Sequence, residues 1–390
     1  MANIKIVHFR KQFPHTERGI IYMNHAAQSP LPKTTVDAIN EHLQGRHNGM
    51  MMTYPRDMEI MAQCKSRIAE LTGAQNTNQI AFIGNTSEGL NRVTSGLQWR
   101  AGDEIILNTI EFPSNVYPYR KLEAQGVRCI FVDADDGTVP VDRIAAAITP
   151  NTRMIAISAV QFLSGYHADM ISLGELCRRN NIWFVVDGIQ AAGIVPLDVV
   201  RWGVDAFATG GLKWLMAPTG IGFLYLSERM NEHLDTPDPG WLSVEKPWDL
   251  FRTDQPLRSD AQRFEGGVVN IPGVYGLNAS IGLLLETGIA HIYQHVQKCT
   301  QKLRQELEEF GLKTFTTADP KHQSGIITFD LHGTAVHNPA NIEHLETIFR
   351  DRGIFLSVRD RKLRFAPHGY NTLNEIEQII RETKAILSEL

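Results

Sequence analysis

The chain has 390 residues, which at roughly 150 residues per domain allows two or three domains around a large buried core. It is 43% hydrophobic and 21% charged, with 31 Gly and 18 Pro, so disordered, fibrous and coiled-coil classes are excluded. Against 43 acidic residues stand 38 basic ones, a formal charge of −5, and no global basic field exists to hold nucleic acid or an anionic membrane surface.

The first fifteen residues, MANIKIVHFRKQFPH, contain no apolar run of signal-peptide length, and no later segment offers about 18 uninterrupted apolar residues. Four cysteines, at 64, 129, 177 and 299, show no CxxC spacing, so neither a disulfide framework nor a zinc knuckle is expected. These features predict a soluble, cytoplasmic protein with no nucleic-acid or membrane partner. No repeat of 20–50 residues and no low-complexity run occurs.

From about residue 60 to 226, helical stretches such as Glu59–Leu71 and Leu173–Asn180 alternate with short apolar runs. The runs are Ile80–Ile83, Glu104–Leu107, Cys129–Val132, Met154–Ser158, Trp183–Val186, Ala206–Ala208 and Gly222–Leu226. Strands separated by helices require crossover connections, so an α/β fold with a mostly parallel seven-stranded sheet is expected. Between Asp235 and Asp260 the Pro, Asp and Trp content predicts a long ordered loop. Helical stretches follow at Val274–Leu285 and Gln297–Phe310. Then come an apolar run Gly325–Leu331, a helix near Ile342–Arg352, strands Ile354–Val358 and Lys362–Ala366, and a terminal helix from Leu373. This part reads as a smaller α+β domain, giving a large domain over 15–265 and a small one from 1–14 and 266–390.

Function in such a sheet is expected at the carboxyl ends of the strands. After Ile80–Ile83 comes GNTSEG, a Gly and hydroxyl turn opening a helix, suited to a phosphate through Thr86 and Ser87 or to a plain N-cap by Asn85 or Thr86. Beyond Leu107, Phe112 sits where an aromatic ring would stack on a flat ligand or fill the core. Strand Trp183–Val186 runs straight into Asp187, a carboxylate that needs a cationic or hydrogen-bonding partner when buried, or else caps the next helix. Lys213 follows a Gly pair among Leu212, Trp214 and Leu215. In an apolar pocket its amine is a nucleophile; otherwise it is a solvated surface residue. A phosphate seat, a stacking ring, a carboxylate and a lysine together are what pyridoxal 5′-phosphate requires.

The segments DGIQAAG and TGGLKWLMAPTGIGFLYL, with NTSEGLN upstream and RFEGGVVNIPGVYGLNASIGLLLE downstream, resemble the class V aminotransferase family of fold type I pyridoxal-phosphate enzymes. That family includes cysteine desulfurases, isopenicillin N epimerase-like proteins and kynureninases. The resemblance implies a homodimer with a shared active site and an α-amino-acid substrate. Lys213 is then the Schiff-base lysine and Asp187 the partner of the pyridine nitrogen. Gln190 and Gln161 lie near the phenolic oxygen, Thr86 and Ser87 at the phosphate, and Phe112 on the ring face. Desulfurases have a His before the lysine, where this chain has Leu212, and a Thr from the partner subunit, where this chain has Val268. Thr209, Trp241 and Asn270 are therefore further candidates for holding the phosphate. Arg364 matches the arginine that pairs with the substrate carboxylate, with Arg359 nearby as a second candidate.

Desulfurases also carry a cysteine on a loop near that arginine, whereas SVRDRKLRFAPHGYNT has none. The resemblance therefore implies transamination or epimerisation, with a C–S or C–C lyase, desulfurase-like without the cysteine or kynureninase-like, as the alternative. His291 and His295 have the spacing of a helical zinc pair, but no third ligand is placed and no metal is expected.

Overall fold

The architecture is that of a computed structural model, which describes residues 2–50, 53–332 and 339–389. Thirteen strands are found among these residues. A two-residue strand β1 (Ile21–Tyr22) precedes the seven strands of the large sheet. Those are β2 (Ile80–Ile83), β3 (Glu104–Asn108), β4 (Arg128–Val132), β5 (Thr152–Ser158), β6 (Trp183–Asp187), β7 (Ala206–Gly210) and β8 (Gly222–Leu226). They lie in the order β2-β8-β7-β6-β5-β3-β4, and only β8 runs against its neighbours. The carboxyl ends of the other six therefore emerge at one edge.

Strands β2, β3, β6, β7 and β8 are buried at every position, because helices cover both faces of the sheet. Successive side chains divide cleanly between two cores. Phe82, Ile106, Ile157, Phe184, Val186, Phe207 and Phe223 pack on one face under helices Tyr54–Thr72, Met170–Arg179 and Ile271–Thr287. Ala81, Leu107, Ala156, Val185, Ala208 and Leu224 pack on the other, with Leu90 and Val93 of helix Thr86–Gly96 and with Tyr119. Burying each of the larger side chains contributes about 1.5–3 kcal/mol.

After residue 312 come β9 (Lys313–Thr314), β10 (Ile327–Asp330), β11 (Ile354–Phe355), β12 (Ser357–Arg359) and β13 (Lys362–Phe365). Strands β12-β13-β10-β9 form an antiparallel sheet. Its core of Phe329, Leu363 and Phe365 packs with Leu303 and Leu307 of helix Ile289–Glu309, Phe349 of helix Pro339–Asp351 and Ile376 and Ile379 of helix Leu373–Glu389.

The expected single strand Ile354–Val358 is two. The chain parts at Leu356, so that β11 pairs in parallel with β1 while β12 joins β13. The partner responsible lies more than 300 residues earlier, at Ile21–Tyr22. That pairing, with the bridge from Asn24 to Ala366, lays the Asn24–Gln28 segment across the edge where the large sheet ends. Two helices lack any strong sequence signal. Lys33–His47 follows Pro32 with no side-chain cap and buries only Thr35 and His42, and Ala2–Arg10 is anchored through Arg10, whose guanidinium donates to Glu375 and to the Tyr370 carbonyl (2.7 Å).

Candidate active site

Strand β6 delivers Asp187 to the carboxyl edge, and the chain turns at once through Gly188. A Cβ there would lie 1.9 Å from the ring of Phe207, so only glycine lets the turn pass over that ring. The Asp187 side chain is 1% exposed; Oδ1 accepts from the Ile189 N–H (2.9 Å) and Oδ2 has no hydrogen-bond partner among the described residues. Burial pushes this carboxyl up to about 7, with the field of Glu111 adding, and the Ile189 N–H and Lys213 opposing.

Lys213 follows β7 across Gly210 and Gly211. Its side chain is 9% exposed, and burial lowers the amine to about 8, Asp187 opposing and Arg364 adding. Nζ lies 5.4 Å from the centroid of Phe112 and makes no hydrogen bond among the described residues. Phe112 itself is 39% exposed and meets Phe162 edge-on at 5.3 Å, so it is not a core residue and offers a bare face beside the lysine.

The Trp214 indole donates to Gln190 Oε1 (2.8 Å), and Gln190 Nε2 donates to the Ala26 carbonyl (2.9 Å). Gln190 thus ties the Asp187 turn, the lysine loop and the N-terminal segment together. Beneath it, His25 Nδ1 meets the Ala366 carbonyl (2.8 Å) and Nε2 meets the Tyr370 hydroxyl (2.8 Å); burial keeps this imidazole well below its usual range and therefore neutral.

At the end of β2 the N-cap is Asn85, whose Oδ1 accepts from the Glu88 N–H (3.0 Å); Glu88 reaches back to the Gly84 N–H (2.7 Å). Thr86 Oγ1 accepts from the Gly210 N–H (2.9 Å), joining this helix start to the lysine loop, and Ser87 Oγ bonds Ser114 Oγ (2.8 Å). On the opposite side, Arg364 of β13 is 3% exposed; Nε donates to Ser357 Oγ (3.0 Å) and Nη1 to the Phe162 carbonyl (2.7 Å), which aims the guanidinium from the small sheet toward the Phe112–Phe162 pair. Burial lowers it to about 10.

Thr86, Ser87, Phe112, Gln161, Asp187, Gln190, Thr209, Lys213 and Arg364 are thereby gathered at one edge. Thr209 is fully buried, its hydroxyl turned onto the Gly210 carbonyl (3.1 Å). Three other candidates are placed elsewhere. Arg359 is half exposed and pairs with Glu346 (3.0 Å). Asn270 caps helix Ile271–Thr287, accepting from the Gly273 N–H (3.1 Å) and donating to the Gly220 carbonyl (3.2 Å). Trp241 stands edge-on to Trp248 (5.2 Å) over a cavity of about 560 Å³ lined also by Tyr54, Met58 and Val268. His295 bonds the Asn371 carbonyl (2.6 Å), and no metal-binding cluster occurs among the described residues.

One buried residue at the site was not singled out from the sequence. Glu111 directly precedes Phe112, and its carboxylate accepts from Asn108 Nδ2 (2.7 Å), the Ser158 N–H (2.8 Å), Ser158 Oγ (2.5 Å) and Gln161 Nε2 (2.9 Å). A lone Glu in a strand-to-helix turn gives no periodic signal; its apolar neighbours Ile110 and Phe112 were the available clue. The cysteines stay remote from thiolate chemistry. Burial pushes Cys64 and Cys177 far up, Cys299 to about 12 and Cys129 to about 11. The link between β12 and β13 is a two-residue turn, Asp360 and Arg361 both left-handed at φ 46° and 55°, a tight hairpin of type I′ geometry.

The family model described as aminotransferase class-V matches residues 21–358. A "Probable cysteine desulfurase" of Methanothermobacter thermautotrophicus is 28% identical over 383 residues, covering 94% of each chain. An "Uncharacterized aminotransferase" of Bacillus subtilis is 26% identical over 97% of each. Among solved structures, the apo cysteine desulfurase of Thermococcus onnurineus NA1 superposes with a TM-score of 0.88 at 26% identity, covering 98% of both chains. Lys213, Asp187 and Arg364 converge at the carboxyl edge of this chain's seven-stranded sheet.

Proposed function

Because the chain belongs to the aminotransferase class-V family and is a pyridoxal 5′-phosphate-dependent enzyme of fold type I, we propose that it removes the Cα proton of an α-amino acid and transfers the amino group. The observation that carries this reading is the pairing of a buried carboxylate with one open oxygen, Asp187, and a buried amine without an ionic partner, Lys213, beside the bare ring of Phe112.

The residues fit the cofactor. Asp187 Oδ2 lacks a donor that a ring N–H supplies, Lys213 has a nucleophilic amine, and Phe112 offers a face for stacking. Thr86 and Ser87 at the start of helix Thr86–Gly96 take the phosphate. Gln161 and Gln190 border the ring, Gln190 mainly as a brace between three segments. When bound, the cofactor supplies a sink for the electrons left at Cα. Asp187 holds the ring nitrogen's proton, Lys213 Nζ takes the Cα proton and returns it, and Arg364 binds the substrate carboxylate in a fixed orientation.

A second reading, β-elimination from a sulfur-bearing amino acid, is favoured by the names of the relatives. With no thiol on the β12–β13 turn, sulfide would leave directly and no protein persulfide would form. We further propose a cytoplasmic homodimer with divisions near 1–14, 15–265 and 266–390, supported by the exposed apolar residues Trp241, Trp248, Phe251 and Val268. Incubation with a panel of amino acids, with and without a 2-oxo acid acceptor, tests the reading. Amino transfer to the acceptor supports it; sulfide and pyruvate without an acceptor support the second; no product from any amino acid overturns both.

A further inference from the structure

Glu111 is 8% exposed and belongs to no ion pair among the described residues, yet it accepts four hydrogen bonds from three donor residues. Those donors come from the end of β3 (Asn108), the end of β5 (Ser158) and the turn beyond it (Gln161). Three donor-only groups, Asn108 Nδ2, the Ser158 N–H and Gln161 Nε2, point at Oε1, and the Ser158 hydroxyl, which can give or take a proton, faces Oε2; this donor-rich setting suits a carboxylate. Glu111 is therefore held inside the sheet edge through Ser158, whose neighbour across the β5–β6 register is Asp187.

The bond to Gln161 also decides how that amide is oriented. Glu111 Oε1, facing three donors, acts as an acceptor, so it selects the Gln161 nitrogen and leaves Gln161 Oε1 turned away; Gln161 is fully buried and that Oε1 has no partner among the described residues. Two adjacent strand ends thus present two open acceptors, Gln161 Oε1 and Asp187 Oδ2, backed by a second carboxyl group, Glu111, whose oxygens are both hydrogen-bonded. Two unfilled acceptors side by side call for a ligand that presents hydrogen-bond donors at this point.

We propose that Glu111 is a positioning residue for the cofactor: it fixes the Gln161 amide with its oxygen open, and its buried charge holds protons on the ring and on the lysine–cofactor linkage. The proposal rests on the pyridoxal-phosphate reading above. The other titratable or charged groups whose fields reach this cluster are Asp187 on β6, Lys213 after β7, Tyr119 on helix Tyr117–Arg120 and Arg364 on β13, and all four are retained in the variants below.

The test is a pH titration of the visible absorbance of the bound cofactor in wild type, Glu111→Gln and Glu111→Asp, with cofactor Kd measured alongside. Removing one buried charge beside the site should lower the absorbance midpoint of E111Q by about one pH unit or more, and E111D, which keeps the carboxylate, should stay near wild type. Borohydride labelling of Lys213 in each variant separates the two levels. Labelled E111Q with an unmoved midpoint, or E111Q and E111D moving equally, overturns the Glu111 role; absence of label on Lys213 in wild type overturns the cofactor reading itself. If E111Q does not fold, Gln161→Ala carries the test, since it leaves the charge in place. Its cofactor Kd should rise several-fold with the midpoint unmoved, and an unchanged Kd overturns the proposal.

Discussion

A carboxyl with one open oxygen and an amine without an ionic partner, both nearly out of water, cannot each carry full charge without cost. At Asp187 the cost shows as a carboxyl pushed from near 4 up to about 7, because burial outweighs the Ile189 N–H. The folded apoprotein therefore binds this proton more tightly than the unfolded chain does. The stability it contributes is fully present below about pH 4 and is lost as pH rises through 7. Asp187→Asn should remove that slope, leaving the apoprotein more stable than wild type at pH 8 by on the order of 2 kcal/mol and little different near pH 4. Denaturant midpoints at the two pH values measure it, and an unchanged slope would refute the assignment. In the holoenzyme the same variant should lose turnover by roughly two orders of magnitude or more, for want of the ring nitrogen's partner. Arg364→Lys keeps charge but loses the fork that Ser357 and Phe162 aim, so substrate KM should rise roughly ten- to a hundred-fold with cofactor retention unchanged. Equal KM values would transfer the carboxylate to another group.

The site is held by turns and strand ends, and these elements differ in how far they could be read beforehand. Fully apolar runs such as Trp183–Val186 announced a sheet buried on both faces, and the polar groups following them marked its carboxyl edge. Pairing at long range was not legible. Nothing local in Ile354–Val358 says that its first two residues seek Ile21–Tyr22 and the rest β13, and helix Lys33–His47 lacks both a cap and an apolar stripe. In the structure Arg359 pairs with Glu346 and Asn270 accepts from the Gly273 N–H, contacts that residue type and spacing alone do not announce. Glu111 escaped notice because buried acids have no period. The tightest element is the turn after β6. Gly188→Ala would force a methyl into the Phe207 ring, costing about 1–3 kcal/mol and displacing Asp187. Thermal denaturation together with cofactor retention checks this, and a variant matching wild type in both would show the turn to be slack.

At the scale of the molecule, the 560 Å³ cavity under Trp241 and Trp248, with Phe251 almost wholly exposed and Val268 74% exposed, leaves more apolar surface on one side than a monomer usually bares. A two-fold pairing through this side is expected, and light scattering should give twice the 43.8 kDa chain mass; a fully active, cofactor-loaded monomer would contradict it. All of the chemistry, however, passes through one amine. Borohydride reduction of the holoenzyme followed by peptide mass analysis tests this: the cofactor's mass should be fixed on the peptide that contains Lys213, and label on any other lysine, or none at all, would refute the assignment.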